Sequence, residues 1–475
     1  MSSSKHEKST TQPEAIVRRV IHACADCDTC RHLMNEDCLF FPALYRLVDR
    51  EVAVEQPGSD NDLRALVELC TLCGLCPCPK IRTDVIKAKT AYVREKGMPI
   101  GNRLLANVQQ FGRSCRVAPW LVNAVFSNDP FKGIVKRIAG MHHERRLPRI
   151  PEENFFAWAK ARGLCSLRGN GHGVAYFAGC TAGYLFPEVA RAAVKVLERC
   201  GVKVFVPPQQ CCGMPTLVEG DNRTTLRRAE SNLSVLLAAK DMGYEPVSSC
   251  PTCGFLMKVL LKEGAYHSDS FQQSVAAGDD EIKIPDGRCN GQFTHLKKSL
   301  YGKILKDDGL FNALEPLKRI TLSDGFLDIG EYLVRLLDGG QLNTRIQPIR
   351  ERIVYFAPCH QREQKIGSPY IRLLSRVPGL IIEQVGGSMD CCGMGGSLGY
   401  KKGFHDASVS LGSSIAAKIR ASAPDTVVTD CLSCRLQFQL LLHYPVVHPL
   451  EILLRAYKTN DVWEDKKSST NYLIF

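Results

Sequence analysis

The sequence predicts an α/β protein, in which an α-helical N-terminal domain with two cysteine-rich runs precedes two duplicated parallel α/β domains. Three observations lead there. Two runs of closely spaced cysteines end at Cys78, a strand, helix, strand, helix order follows Val174, and the cysteine pattern of that region recurs roughly 180 residues later. With 475 residues and 45% hydrophobic content there is room for about three domains with real cores. The 22 cysteines would suggest a disulfide scaffold only in a short secreted chain. The start "MSSSKHEKSTTQPEA" has no apolar h-region, so the expectation is reduced thiolates in a cytoplasmic protein. No stretch of 18 or more apolar residues runs without a charge, which limits membrane contact to a peripheral one. The formal charge is +12, but the basic residues are spread along the chain and no nucleic-acid-binding signature accompanies them. Nucleic acid is therefore not an expected partner. An acidic protein, anionic lipid or the charge of thiolate-bound clusters explains the balance more simply.

The first run, "CADCDTCRHLMNEDC", holds Cys24, Cys27, Cys30 and Cys38, and the second, "CTLCGLCPCP", holds Cys70, Cys73, Cys76 and Cys78. Three cysteines at two-residue gaps let one loop wrap a cubane, and in two-cluster ferredoxins the fourth cysteine of each run crosses to the other cluster. Two cubane [4Fe-4S] clusters are the expectation, one on Cys24, Cys27, Cys30 and Cys78, the other on Cys70, Cys73, Cys76 and Cys38. Zinc sites usually use paired CxxC units, which a CxxCxxC triplet fits less well. Both fourth cysteines depart from the usual run: Cys38 follows after seven residues, and Cys78 after Pro77 alone.

Beyond residue 173 the run Val174–Ala178 reads as a buried strand, Pro187 suits a first helical turn, "EVARAAVKVLERC" is apolar at helical spacing and Gly201 is a natural stop. "VKVFV" is a second strand, "TTLRRAESNLSVLLAAKDMG" a second helix, and a short strand precedes Cys250. Cys180, the doublet Cys211/Cys212, and Cys250 with Cys253 then fall just beyond strand carboxyl ends, where open parallel sheets bind ligands. The second half repeats the order with Cys359, the doublet Cys391/Cys392, and Cys431 with Cys434. Thirty and 37 residues separate the three positions in the first copy, 31 and 38 in the second. Neighbouring side chains point apart, so a doublet suits a compact four-cornered metal site poorly and a larger one better.

This pattern, C-x30-CCG-x37-CxxC given twice, resembles the cysteine-rich CCG domain of heterodisulfide reductase subunits and related iron-sulfur oxidoreductases. With the N-terminal runs, the chain resembles the arrangement of the D-type subunits of heterodisulfide reductase and the C-type subunits of anaerobic glycerol-3-phosphate dehydrogenase over nearly its whole length. The resemblance implies one or two non-cubane [4Fe-4S] clusters, ligated by Cys180, Cys211, Cys212, Cys250 and Cys253 in one copy and by Cys359, Cys391, Cys392, Cys431 and Cys434 in the other. The implied organisation is a disordered N-terminus over residues 1–15, a ferredoxin-like two-cluster domain over 16–110, a linker or docking segment over 111–170, CCG domains over 171–335 and 336–460, and a tail over 461–475.

Gly213 and Gly393 follow the doublets, where the backbone must turn tightly, and "GMGGSLG" adds Gly395, Gly396 and Gly399. No Lys-Ser/Thr follows that run at the spacing of a phosphate-binding loop. His360 and His448 either act on protons or substrate or satisfy the core, and Cys115, Cys165, Cys200 and Cys289 read as ordinary buried thiols. The segment "APWLVNAVFSNDPFKGIVKRIAGMHHERRLP" mixes apolar and basic residues, as a linker helix packed on the cluster domain or an interfacial docking segment does. The polar stretch 267–291 between the copies reads as a loop.

No hydride-transfer or acyl-transfer constellation is present, so the cofactors carry the chemistry. The expected function is an electron-transfer subunit between a flavoprotein dehydrogenase subunit and a quinone, a membrane subunit or another acceptor, on the cytoplasmic face of a membrane if peripheral. The alternative is a catalytic thiol-disulfide reductase. It requires a pocket between the two CCG clusters lined by cations for an anionic disulfide, with Arg362, Lys401, Lys402 and Arg435 as candidates.

Overall fold

The structure is a computed structural model that describes residues 13–166, 173–275, 278, 280–286 and 292–457. The N-terminal part is helical: Pro13–Cys27, Thr29–Leu33, Phe40–Val54, Asp60–Glu68 and Pro79–Lys96 enclose a core of Val17, Val20, Ile21, Leu44, Leu63, Val67 and Val85. Ser59 starts one of these helices with a capping box to Asp62, and Pro79 occupies the first turn of the longest. Residues 13–15, expected to be disordered, are the first turn of a helix whose Val17, Val20, Ile21 and Cys24 recur at helical spacing and are buried. Residues 1–12 and the expected tail lie outside the described residues.

Ten strands follow among the described residues: β1 (Gly173–Phe177), β2 (Lys203–Phe205), β3 (Tyr244–Ser248), β4 (Glu281–Pro285), β5 (Phe293–Lys297), β6 (Leu327–Asp328), β7 (Arg352–Phe356), β8 (Ile381–Val385), β9 (Thr426–Val428) and β10 (Val446–Val447). Eight of them form two four-stranded sheets, ordered β2-β1-β3-β6 and β10-β9-β7-β8, in which every neighbouring pair is parallel, while β4 and β5 form a separate antiparallel pair. In each sheet the first strand of the copy pairs with the second and third, and the fourth lies outside the third. The duplication is thus one topology used twice. β1 is buried at every position, as a strand covered on both faces must be.

The helix Pro187–Arg199 illustrates how the predicted elements form. Proline opens it, and Gly201 at φ +73° closes it. The amides of Gly201 and Val202 bond the carbonyls of Glu198 and Leu197 in a Schellman turn. Its buried face meets the helix Pro449–Ala456 from the other half, and one hydrophobic core runs from Val174 and Tyr176 through Val194 to Ile353, Tyr355 and Leu450. The helix Phe155–Ala161, which precedes the boundary drawn at residue 171, contributes Phe155 and Ala159 to that same core.

The stretch 267–291 corrects the reading of a loop. A helix, Asp269–Val275, and β4, which pairs antiparallel with β5, occupy it. The carboxamide of Gln272 donates to the Lys283 carbonyl (2.9 Å) and accepts from the Lys283 amide (2.9 Å), fastening the hairpin to the helix. Ile282 is buried beneath it, one apolar residue inside a run polar enough to hide the alternation.

In the seam between the sheets, the Asp328 carboxyl is buried, and burial pushes its pKa from 3.8 up to about 7. A raised folded-state pKa means that the neutral carboxyl stabilises fully below about pH 4, and that this contribution is lost as pH rises through about 7. Asp328 also caps the helix Ile329–Asp338 by accepting from the Gly330 amide (2.7 Å), which asparagine can do equally well. Thermal unfolding across pH 4–8 should therefore show a shallower loss of stability in Asp328→Asn than in the parent, with the two converging at the acid end.

Candidate functional site

The N-terminal cysteines gather into two crossed groups. Cys24 and Cys27 sit on the last turns of the first helix, Asp28 turns the chain at φ +53°, and Cys30 follows on the next short helix. Cys78, the residue before Pro79, completes this group, and the four line one cleft of about 760 Å³. Cys38 joins Cys70, Cys73 and Cys76, whose loop turns at Leu72 (φ +56°) and Gly74 (φ +89°). Desolvation first, then the neighbouring sulfurs, push Cys24 and Cys76 up to about 12; desolvation does the same to Cys38. Such sulfurs ionise only against a compensating cation, which is how a metal site holds them. Cys27 and Cys78 are exposed, whereas all four cysteines of the second group are half-buried.

Each α/β half brings its five cysteines together at the carboxyl edge of its sheet. In the first, Cys180 follows β1, the doublet follows β2, and Cys250 caps the helix Pro251–Gly254 that carries Cys253 after β3. The Sγ atoms of Cys180 and Cys211 are 3.4 Å apart, while Cys212 faces Cys253, which in turn faces Cys250. The second half repeats the chain of contacts: Cys359 with Cys391, Cys392 with Cys434 at 3.1 Å, and Cys434 with Cys431. Within each doublet the two sulfurs contact each other, the first also meeting the leading cysteine of the copy and the second the CxxC pair. Contacts with the Cys180 and Cys212 thiols, then the Gly213 amide and Arg228, hold Cys211 well below the ordinary thiol range. Cys391 is lowered likewise by Cys359 and Cys392, the Gly393 amide and Arg362. All-sulfur donor sets fit iron-sulfur groups, four thiols in each N-terminal group and five in each half.

The groups are strung together in space. Cys38, Cys70, Cys73 and Cys76 share one cavity with Cys391, and Cys73 is close enough to raise the Cys359 thiol. On the other side, Leu72 packs into the cluster of side chains around Cys180, Cys211, Cys212 and Cys253. The buried Lys89 donates to the carbonyls of Cys70 (2.6 Å) and Val218 (3.0 Å), tying the second N-terminal group to the first half.

The cations proposed for an anionic pocket do not converge. Arg435 is fully buried against Glu451 (3.0 Å) and Glu188 (3.7 Å) and lies over the Phe186 ring. Lys401 pairs with buried Glu219 (2.8 Å), and Arg362 is bound to the carbonyls of Gly387 and Asp390; of the four, Lys402 alone faces solvent. Arg362, Lys401 and Arg435 hold the protein together, a role that their sequence positions concealed. His448 caps the helix Pro449–Ala456 and bonds the Ser249 carbonyl (3.1 Å) in the seam; burial lowers it to about 3. His360 is half-buried among three cysteine loops, and desolvation lowers it to about 4. Among the thiols read as ordinary buried ones, Cys115 is buried, Cys200 half-buried and Cys165 exposed at the end of its helix turn; Cys289 lies outside the described residues.

Arg145, one of the basic residues of the segment read as a linker or docking helix, is instead buried and donates to His405 Nδ1 (2.9 Å), Ser408 Oγ (2.8 Å) and Gln437 Oε1 (2.5 Å), with Ser408 in turn bonding the Gly393 carbonyl (2.7 Å). His142, Glu144 and His405 bring three ligand atoms within 4.8 Å. Because Arg145 donates to His405 Nδ1, His405 Nε2 carries the hydrogen it directs at Glu144 (3.0 Å), so its lone pair is not offered to a metal. This is a polar clamp behind the second doublet.

The glycines after the doublets are under unequal pressure. A Cβ on Gly393 (φ +81°) would lie 2.2 Å from the Ser408 carbonyl oxygen, whereas one on Gly213 (φ +106°) would meet only the Thr225 methyl at 3.2 Å. Gly393→Ala should therefore displace the second doublet and lower iron content, with Gly213→Ala losing less; iron and sulfide analysis of anaerobically purified protein measures both.

Residues 174–258 and 353–439 match the CCG cysteine-rich domain. The chain is 24% identical over 378 residues to the C subunit of anaerobic glycerol-3-phosphate dehydrogenase of Escherichia coli K12, covering 78% of this chain and 81% of that protein. It is 26% identical over 296 residues to the B subunit of fumarate reductase (CoM/CoB) of Methanothermobacter marburgensis, covering 60% of this chain and 47% of that protein. Lactate utilization protein A 2 of Bacillus cereus Q1 is 27% identical over 230 residues, 48% of this chain and 74% of that protein. The repeated topology, the repeated thiol contacts and the two matched segments lead to one conclusion: this chain carries two copies of the CCG cysteine-rich domain, one in each α/β half.

Proposed function

We propose that this protein is the iron-sulfur electron-transfer subunit of a dehydrogenase or reductase complex, exchanging electrons with a flavoprotein dehydrogenase subunit on one side and a quinone or other acceptor on the other. In this reading Cys24, Cys27, Cys30 and Cys78 hold one cubane, Cys38, Cys70, Cys73 and Cys76 a second, and the two five-cysteine sites hold non-cubane [4Fe-4S] clusters. Bound clusters supply one-electron redox chemistry; the protein sets their burial, spacing and access. The observation that carries the reading is the fate of the cations: Arg362, Lys401 and Arg435 are committed to backbone carbonyls or carboxylates, so they do not form the convergent positive pocket that an anionic disulfide substrate requires. The exposed Cys27 and Cys78 support partner access at the first group, and the relatives named as dehydrogenase and reductase subunits support a complex.

The peripheral contact in this reading is a band on two consecutive helices, Pro119–Ser127 and Asp129–Ile138. Trp120, Leu121, Phe131, Ile134 and Ile138 are all exposed there, Trp120 by 71% and Ile138 by 67%, beside exposed Arg116 and Arg137. Asp129 and Glu144 are the only acids between residues 97 and 150. Apolar side chains with a basic surround suit an anionic lipid surface. Among the described residues, no helix is long and apolar enough to cross a membrane.

Two outcomes test the proposal. Anaerobically purified protein should contain about 16 irons, and after dithionite reduction it should be reoxidised by a quinone analogue or its flavoprotein, with no turnover of low-molecular-weight disulfides. Sustained disulfide reduction would favour the catalytic alternative. Co-sedimentation with phosphatidylglycerol vesicles should exceed that with phosphatidylcholine, weaken with salt and fall in Ile134→Ser/Ile138→Ser; binding that ignores those substitutions would remove the band from the account.

A further inference from the structure

His360 stands at the meeting point of three cysteine-bearing loops. It follows Cys359 on the short helix Cys359–Arg362 that leaves β7. Its Nε2 lies 3.1 Å from the carbonyl oxygen of Leu72, in the loop between Cys70 and Cys73. A carbonyl only accepts, so Nε2 carries the hydrogen and Nδ1 is left with its lone pair. That lone pair receives the hydroxyl of Thr252 at 2.9 Å, and Thr252 lies between Cys250 and Cys253 of the first CCG site. The ring stacks on Phe255 with centroids 4.8 Å apart and planes 17° apart, which leaves it one orientation.

The surroundings reinforce the junction. Just past this helix Gln364 donates to the carbonyls of Pro251 (3.1 Å) and His360 (3.0 Å), a second tie to the first CCG site beside the one to Thr252. Packing is close against both loops: a Cβ on Gly254 would lie 2.5 Å from the Gln364 carboxamide, and one on Gly74, whose φ is +89°, would lie 2.6 Å from Glu363. The duplication gives an internal control. The residue after the leading cysteine of the first copy is Thr181, whose hydroxyl turns to its own Cys180 sulfur at 3.9 Å. Only the second copy carries an imidazole there, at the place where a ring can reach two other loops.

We propose that His360 is a positioning residue that locks the second N-terminal cysteine group and both CCG sites into one rigid junction, through paired hydrogen bonds to Leu72 and Thr252. The inference rests on the relay reading, in which fixed spacing between the groups sets how fast electrons redistribute among them. His360 touches no reacting atom; it acts by holding the loops that hold the sulfurs.

The test uses full-length protein purified anaerobically with its clusters. His360→Phe keeps the ring and its stacking but removes both hydrogen bonds. Thr252→Val removes one hydroxyl at nearly constant shape, and Thr252→Ser restores it. Stopped-flow mixing with substoichiometric dithionite, followed by freeze-quench paramagnetic resonance, reads how fast electrons spread from one group to the others. Iron content should stay at the parental value in all three variants. Redistribution should slow by roughly tenfold or more in His360→Phe and Thr252→Val, on the scale by which small misplacements act in positioned reactions, and Thr252→Ser should recover it. The splitting from coupled clusters should narrow in the two slow variants. Unchanged rates and spectra in both variants would overturn the junction, as would a general loss of iron in Thr252→Val, because that would make the contact a folding element alone. No redistribution in the parent protein would instead overturn the relay reading.

Discussion

Parallel pairing is the constraint on which the rest depends. Because β2 and β3 run parallel to β1, and β8 and β9 to β7, the loops that follow the three strands of each copy all leave from one sheet edge. Ten cysteines scattered over 255 positions thereby reach two compact groups. Antiparallel order would send alternate loops to opposite edges. The helices between strands provide the length each crossover needs, and their apolar faces form the shared core that binds one copy to the other.

Placing many thiols at one edge creates an electrostatic difficulty, which each site meets with the same device. The first sulfur of each doublet accepts the amide of the following glycine and feels one arginine, Arg228 or Arg362. The remaining sulfurs are mostly raised by burial and by one another. The positive side chains near the sites serve chain geometry more than solvent-facing recognition. Arg145, Lys89 and Lys401 follow the same rule, each buried and committed to carbonyls, side-chain acceptors or a carboxylate.

Much of this was legible in the sequence because it is local. CxxC spacing, a doublet followed by glycine, a proline-opened helix and an unbroken apolar strand are all decided within a few residues, and the duplication doubled the signal. What escaped the sequence is decided at a distance. His360 meets partners 108 and 288 positions away, and the Glu219 carboxylate and the Lys401 ammonium are 182 positions apart, so no window contains either set. The hairpin of β4 and β5 escaped for another reason: its single buried Ile282 is a weak period, and its fastening to Gln272 is a side-chain contact that patterning does not register. The destination of Arg435 shows the hazard of reading proximity in sequence as proximity in space, since the residue after Cys434 pairs with the half-buried carboxylates of Glu188 and Glu451.

The continuous core between the two halves has a dynamic consequence. Domains joined by small polar contacts hinge freely, whereas a broad apolar interface suppresses that motion. Here Pro187–Arg199 is packed on Pro449–Ala456, and Tyr176 and Tyr355 lie in one core, so the halves vibrate as a single body. The β4–β5 hairpin and the exposed helices lie outside that core. A molecule built this way keeps its interior distances constant while its rim adapts, which lets a neighbour attach and detach without retuning what lies inside.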